Sequence, residues 1–312
     1  DTQFGQGLLE LNGFTLMVEI CEDSWVVGRP AAKWAGRIDL LLSPAASHYE
    51  PAKAAIRRRI ARDSSRTLGT AFAMVNLLGN EAGKAIYDGH ALYAEHGELL
   101  LESDRFSFRS YQIHPVEVDL TAVRQEKLRN HSRKNGREES PPSLQLDLRP
   151  HGRSPAYRSG SIAMLSPYIE FTRAAALGLF DYLRKTRSRG YVISLSGGAD
   201  SAAALILVER MLRHALREYT PETLLRRLGR SDLSQRLQRL QASGKATDAV
   251  FLRFFMRELC HTIYQSTAQS SNTTRDAARL IARSLHSQHL EVDIDDVVGL
   301  YTERLSSAMK RS

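Results

Sequence analysis

A chain of 312 residues has room for two domains, and 42% hydrophobic residues is a globular composition rather than a disordered one. No run approaches the roughly 20 apolar residues of a transmembrane helix, no start reads as a signal peptide, and two cysteines, Cys21 and Cys260, are too few for a disulfide framework. The net charge of +8 would suit nucleic acid, but the arginines are dispersed rather than gathered with stacking aromatics. A cytoplasmic location, without membrane or nucleic-acid partners, is therefore expected.

The chain begins at Asp1 without methionine, almost directly on a strand, and a missing start is expected. Residues 14–20 read as an apolar strand running into Cys21, followed by Glu22, Asp23 and Trp25. A cysteine at a strand exit, followed by acidic residues, fits a nucleophile on a sharp turn; taken alone, it fits a packed core thiol better. Asp23 is assigned to bracing that turn and Trp25 to anchoring it by burial. Residues 39–42 read as a second buried strand and 43–50 as a small-residue loop holding Ser47. From Pro51 a helix is expected to about residue 67, with Ala54, Ala55 and Ile60 toward a core and Arg57, Arg58 and Arg62 toward solvent. A strand over 72–78, a turn over 79–83, a strand over 86–93 and a hairpin closed by His96-Gly97 into 98–102 complete the pattern.

This succession, C-E-D-S-W, A-S-H-Y-E-P-A-K, N-L-L-G-N-E-A-G-K-A-I-Y-D-G-H and E-H-G-E-L-L-L-E-S-D-R-F, resembles the C-terminal half of a nitrilase-type glutaminase domain over about the first 110 residues. The resemblance implies a Glu-Lys-Cys triad that hydrolyses an amide, with Cys21 as nucleophile and Glu22 and Ser47 lining the glutamine pocket. His90 stands where that family usually has glycine. The family's glutamate and lysine precede the cysteine by long intervals, whereas only Glu10 and Glu19, and no lysine, precede Cys21. No acid/base partner is therefore assigned to it, and the other triad members are expected upstream of residue 1.

From residue 120 charge, then proline and glycine, dominate. The expected organisation is a glutaminase-like domain over 1–120, a basic linker over 121–165 and a second domain over 166–312. Arg129, Arg133, Lys134 and Arg137 are read as solvated on a mobile connector. Ser166-Pro167 starts a helix, with Ala176, Leu179, Phe180 and Leu183 on one packing face.

The stretch Y-V-I-S-L-S-G-G-A-D-S then reads as a buried strand, a turn and a helix opening at Ser201. Gly197 and Gly198 let backbone N–H groups approach an anion, Ser196 and Ser201 add hydroxyls, and Asp200 is suited to hold a metal ion that bridges phosphates. Helices are expected over 218–247, with Leu233, Leu237 and Leu240 as a core stripe, then a strand over 259–264 containing Cys260 as core. Thr273 or Thr274 is expected to cap a helix over 275–285, ahead of a strand over 289–294. This βαβ rhythm calls for a parallel sheet whose carboxyl ends, with the phosphate loop and residues 265–271, face one crevice.

The loop resembles the S-G-G-x-D-S signature of PP-loop ATP pyrophosphatases. Joined to a nitrilase-like half, and with L-G-L-F-D-Y-L-R-K and S-S-N-T-T-R-D-A-A-R-L-I-A on either side, it resembles the glutamine-dependent NAD synthetases. The resemblance implies an α/β chain: a partial nitrilase-like α-β-β-α sandwich followed by a doubly wound, parallel-sheet PP-loop domain of the adenine nucleotide alpha hydrolase-like type. It also implies ATP and Mg2+, with Ser196, Gly197, Gly198, Asp200 and Ser201 on the ATP phosphates and Asp200 on the metal. Glutamine and deamido-NAD are the other implied substrates, and a homo-oligomer the implied assembly. Residues 284–312 show no match to the family's deamido-NAD residues or second metal-binding acid, so a fragment lacking both ends is expected. Another glutamine-using PP-loop amide ligase, or a nucleotide-binding chain without turnover, are the alternatives.

Overall fold

The computed structural model describes residues 7–11, 13–81, 84–129, 143–146, 165–244 and 247–309. Contacts divide the chain into two compact units, Asp1–Ala174 and Ala175–Ser312. Among the described residues no helix is long and apolar enough to cross a membrane.

In the first unit β1 (Leu8–Leu11) and β2 (Phe14–Val18) lead to a 3-10 turn, Cys21–Ser24, and a second one, Pro30–Trp34. Then come β3 (Leu40–Ala45), α1 (Lys53–Leu68), β4 (Ala71–Asn76), β5 (Leu78–Glu81), β6 (Ala85–Asp88), β7 (Ala91–Glu95), β8 (Glu98–Glu102), α2 (Leu120–Arg129) and β9 (Ser143–Leu146). Seven strands form one sheet in the order β8-β7-β4-β3-β2-β1-β9. At its centre β2, β3 and β4 run parallel, with Val18 beside Leu42 and Ala45 beside Asn76. α1 packs on β4, β7 and β8. Met17, Ile38, Leu41, Ala61, Phe72, Met74 and Leu92 are removed from solvent there, which supplies the main apolar stabilisation of the unit.

Two readings of this half change. Residues 79–83 are not simply a turn, because Leu78–Glu81 pairs with Ala85–Asp88 as a separate two-stranded ribbon. The expected strand over 86–93 breaks at Gly89, whose φ of +66° suits glycine and redirects the chain into β7. His90 keeps an ordinary backbone, outside the left-handed region. His96 and Gly97 do close the β7–β8 hairpin, with φ of +52° and +84°.

The arginine row of α1 is not a solvated face. Arg57 is fully buried and bonds Asp88 at 2.6 Å, and Arg58 forks onto Glu102 at 2.6–2.9 Å; Arg62 alone of the three is exposed. The physical reason is Asp88, 1% exposed at the end of β6, which requires a counter-charge that the helix above it supplies at the shortest distance. Helical periodicity could not reveal this, since a buried arginine reads as polar.

Within the stretch expected as a linker, α2 buries Val123 and fastens Asp39 through Arg124 at 2.8 Å and Lys127 at 2.6 Å, and β9 pairs with β1. Arg133, Lys134 and Arg137 lie outside the described residues.

α3 (Pro167–Thr186) buries Ala176, Phe180 and Leu183 as its periodicity requires. Next come β10 (Tyr191–Ser194), α4 (Ala199–Glu218), α5 (Pro221–Arg227), a 3-10 turn (Ser231–Leu233), α6 (Ser234–Ala242) and α7 (Asp248–Leu259). The unit continues with β11 (Cys260–Ser266), α8 (Asn272–Ser284), β12 (Gln288–Asp293) and α9 (Asp295–Met309). α7 is an addition to the expected elements, although Leu252, Phe255, Met256 and Leu259 recur at helical spacing and are all buried.

The strands form a parallel sheet in the order β10-β11-β12. α7 and α8 pack on β11 and β12, and the alternating residues Cys260, Thr262, Tyr264 and Ser266 are buried. Burial pushes the Cys260 thiol up to about 12, which fits an inert core thiol. Among the described residues β10 stands at the edge of its sheet rather than inside it as expected, and Val192 is 71% exposed there.

Because Arg57 and Asp88 form a buried pair, Arg57→Ala leaves a carboxylate stranded in the core. It is expected to cost about 3–5 kcal/mol in urea denaturation, whereas Arg62→Ala on the same helix should fall within about 0.5 kcal/mol of wild type.

Candidate functional site

β2, β3 and β4 are parallel neighbours, so their carboxyl ends open at one edge of the sheet and bring the chain near Cys21, Ser47 and Asn76 together. Cys21 opens its 3-10 turn with φ of +50°, a conformation that costs a non-glycine residue energy and is characteristic of functional turns. Asp23 braces the turn as expected, its Oδ2 accepting from the Ile20 N–H at 3.0 Å. Ser24 Oγ adds a 2.7 Å bond to Ser43 Oγ on β3. Trp25 is half-buried rather than a deep anchor, and the Lys53 ammonium stands over its ring at 5.8 Å.

Glu19, two residues before Cys21, is fully buried and already committed. Arg29 bonds it at 2.5 Å, and the Ala31 N–H donates to it at 2.7 Å. It is a structural carboxylate. Glu10 sits in β1 opposite Thr15. Glu22 is exposed beside Cys21.

Ser47 is held by its backbone. Its N–H donates to Asn76 Oδ1 at 2.9 Å, and its carbonyl accepts from Asn76 Nδ2 at 2.9 Å and from Arg57 at 3.1 Å. Asn76 and Arg57 both donate to Asp88, each at 2.6 Å. Burial is the largest single influence and works against the Asp88 charge, but Arg57, Asn76 and His90 together outweigh it and hold the carboxyl below its ordinary range.

Above these strand ends lies a cleft of about 540 Å³ lined by Cys21, Ala45, Asn76, Leu78 and Ala91. Sequence reasoning missed Gln112 and His114 on its wall, where Gln112 Oε1 and His114 Nε2 find no hydrogen-bond partner among the described residues. Their segment has no regular structure and no periodicity to betray it. Tyr87 was also missed. Its hydroxyl donates to Glu81 at 2.8 Å, a bond that pushes the phenol's pKa up, with burial and the nearby Glu81 and Cys21 adding to the shift.

Behind the cleft His90 is fully buried with Nε2 at 3.0 Å from Glu102. Burial pushes its pKa down, so the ring is neutral at pH 7 and donates to the carboxylate. Burial opposes the Glu102 charge too, but the bonds from His90 and Arg58 prevail and bring its pKa from 4.5 down to about 2. Arg105, also buried, bonds both Asp88 and Glu170.

In the second unit β10 runs into the loop 195–198, and α4 starts at Ala199, two residues earlier than Ser201. Asp200 and Ser201 therefore sit in the first turn. Ser201 Oγ knits the loop together: it accepts from the Ser196 N–H at 3.2 Å, lies 3.1 Å from Ser196 Oγ and donates to the Gly198 carbonyl at 3.1 Å. Gly198 is the N-cap and has no side chain to occupy the first-turn N–H groups, so a 20-residue helix points an uncapped positive end at this spot. Gly197 has φ of +83°, and a Cβ there would fall well inside contact with the Thr274 backbone in α8. α8 is capped by Ser271, which accepts from the Thr274 N–H at 3.2 Å, rather than by Thr273 or Thr274. β11 is parallel to β10, so this cap lies at the same end of the sheet as the loop.

Asp200 is exposed. Among the described residues no three His, Cys, Asp or Glu side chains are placed to hold a metal. A single exposed carboxylate beside two hydroxyls fits the way Mg2+ is held when phosphates supply most of its ligands, and does not fit an all-protein cage.

The sequence matches no protein-family profile. It is 25% identical over 309 residues to a glutamine-dependent NAD(+) synthetase of Oryza sativa subsp. indica, covering 95% of this chain and 40% of that protein. The crystal structure of a glutamine-dependent NAD(+) synthetase from Cytophaga hutchinsonii superposes with a TM-score of 0.75 at 28% identity, covering 98% of this chain and 43% of that one. This chain resembles the glutamine-dependent NAD(+) synthetases along nearly its whole length. The fold is shared with such a synthetase from Acinetobacter baumannii, solved with ADP, at a TM-score of 0.68, 16% identity, 100% of this chain and 45% of that one. The α/β reading holds, with a parallel sheet in the second unit. The chain spans less than half the length of these relatives, at 40% and 43% of the first two.

Two outcomes follow from the geometry. Stability contributed by Glu102 is complete above about pH 4.5 and is lost as pH falls through about 2. Glu102→Gln should thus lower unfolding free energy by on the order of 3 kcal/mol at pH 7, with the gap to wild type closing between pH 4.5 and 2 in urea titrations. Gly197→Ala adds a clash to an already strained φ, while Gly244, with φ of +69°, has open space around it. The melting temperature should fall several degrees further for Gly197→Ala than for Gly244→Ala.

Proposed function

We propose that this chain acts in the ATP-driven transfer of the glutamine amide nitrogen to deamido-NAD, giving NAD. The observation that carries the reading is that one resemblance spans both units, so that a cysteine turn and a phosphate loop occur in one chain. The proposed division is a glutaminase-like part over 1–120, a linker over 121–165 and a synthetase part over 166–312. A cytoplasmic homo-oligomer belongs to the same reading.

At the first site the Cys21 sulfur adds to the amide carbonyl of glutamine, and the carbon–nitrogen bond breaks to release ammonia. Water then cleaves the thioester to glutamate. Glu22 and Ser47 line the pocket, and the Asn76–Arg57–Asp88 network keeps the Ser47 backbone in place. At the second site a carboxylate oxygen of deamido-NAD attacks the α-phosphorus of ATP, and pyrophosphate leaves. Ammonia adds to the resulting acyl carbon, AMP leaves and one proton is released. Ser196, Gly197, Gly198 and Ser201 hold the phosphates at the uncapped end of α4. Mg2+ held by Asp200 would supply neutralising charge to the departing pyrophosphate. Ammonia must reach this step unprotonated, because ammonium has no lone pair to give, and this favours delivery without release to water.

The division of labour predicts different phenotypes. In the protein carrying this chain, Cys21→Ala should lose NAD formation from glutamine yet keep it from added ammonium. Asp200→Asn should depress both by about 10²-fold, the scale of a lost electrostatic group. NAD and AMP formation with each nitrogen source is the assay. A folded Cys21→Ala protein equally dead with ammonium would refute the assignment, and turnover with another carboxylic acid in place of deamido-NAD would replace the substrate.

A further inference from the structure

Arg275 lies in the first turn of α8, four residues after its cap Ser271, and directly follows Thr274, whose backbone abuts Gly197 of the phosphate loop. Its surroundings do not satisfy it. The side chain is half-buried, its Nε is shut off from solvent without a hydrogen-bond partner, and among the described residues no carboxylate pairs with the guanidinium. The contact it does make is with the face of Tyr264, whose ring centre lies 6.0 Å from the guanidinium carbon. Tyr264 is itself fixed, 3% exposed and 2.9 Å from Thr274 Oγ1. The acid next to it in the chain, Asp276, bonds Arg279 at 3.1 Å.

A half-buried guanidinium whose Nε is cut off from solvent and unpaired gains from an anion that supplies the missing partner. A planar guanidinium held on an aromatic face is also partly ordered before the anion comes, so less freedom is lost on binding. The loop beside it offers N–H groups and hydroxyls, but among the residues assigned to it none carries positive charge; Asp200 adds a negative one. A polyphosphate bearing several charges needs more than that.

We infer that Arg275 binds the β,γ end of the ATP phosphates, the part that leaves as pyrophosphate, and this rests on the phosphate-loop reading above. The first turn of α8 then forms a second wall of the anion site, opposite the first turn of α4. The role is distinct from that of Asp200, which acts through a metal ion, because the guanidinium pairs with phosphate oxygens directly and in a forked geometry that lysine does not reproduce.

The test is calorimetric titration of the protein carrying the full chain with inorganic pyrophosphate plus Mg2+, and separately with AMP, which lacks the β and γ groups. Arg275→Leu is expected to weaken pyrophosphate at least about 10-fold with AMP affinity unchanged, and Arg275→Lys to recover only part of the loss. Equal pyrophosphate affinity in wild type and Arg275→Leu overturns the inference while leaving the loop reading intact. Equal losses for pyrophosphate and AMP overturn it too, since they indicate a structural role. A wild-type protein that binds neither probe overturns the phosphate-loop reading, and the inference with it. If Arg275→Leu fails to fold, Arg275→Gln, which keeps a polar planar end without charge, is read by the same criteria.

Discussion

The first unit depends on one buried ion pair. Arg57 and Asp88 are each about 1% exposed, and their 2.6 Å contact joins the middle of α1 to the end of β6. Everything around the cysteine cleft is referred to that point. Asp88 also takes the Asn76 amide at the end of β4, Asn76 holds the Ser47 backbone beyond β3, and Arg57 donates to the Ser47 carbonyl. Such a pair contributes little net stability against an apolar replacement of equal volume, because desolvation offsets the attraction. Its value lies in direction: a charge pair whose hydrogen bonds also reach Asn76 and the Ser47 carbonyl favours one arrangement of three strand ends, where an oily contact would admit several.

Much of this was readable from the chain, and the failures have a common cause. Period-two and period-3.6 patterns located β2, β3, the β7–β8 hairpin, α3 and the phosphate loop, since in each the burial of apolar residues determines the local structure. The pattern misled where a polar residue is buried or an apolar one is exposed. Arg57 reads as solvated because no local signal shows that a carboxylate waits 31 positions later in the chain. Val192 reads as core because edge position is a property of the sheet and not of the strand. Glu19 is assigned no role beside the nucleophile, and it is consumed by Arg29. The Cys21 turn and the S-G-G-A-D-S loop were legible as motifs, but Gln112, His114 and Tyr87 were not, since they reach their places through irregular or short segments.

The phosphate loop illustrates a second constraint, that of space. Gly197 is required twice, by a positive φ and by the Thr274 backbone against which it lies. Chain geometry thereby couples the start of α4 to the start of α8, so that two helix N-termini stand at the same end of β10 and β11. A side chain larger than hydrogen at this one position would separate them.

The two units place their candidate sites alike, at the carboxyl ends of parallel strands, yet they treat charge in opposite ways. Around the cysteine cleft the buried arginines are spent on buried carboxylates: Arg29 on Glu19, Arg57 on Asp88, and Arg105 on Asp88 and Glu170. What remains to face the cleft is mostly apolar or neutral, so a polar group entering it must find hydrogen bonds from the few polar groups there, such as Asn76 and Gln112. At the phosphate loop the N-terminus of α4 is left open, its N-cap has no side chain, and among the described residues Arg275 has no carboxylate to pair with. The difference is local to the two sites, since elsewhere in the second unit arginines are paired as well, Arg230 with Asp232 and Arg213 with Glu209. The contrast follows from ion pairing alone, before any appeal to kinship.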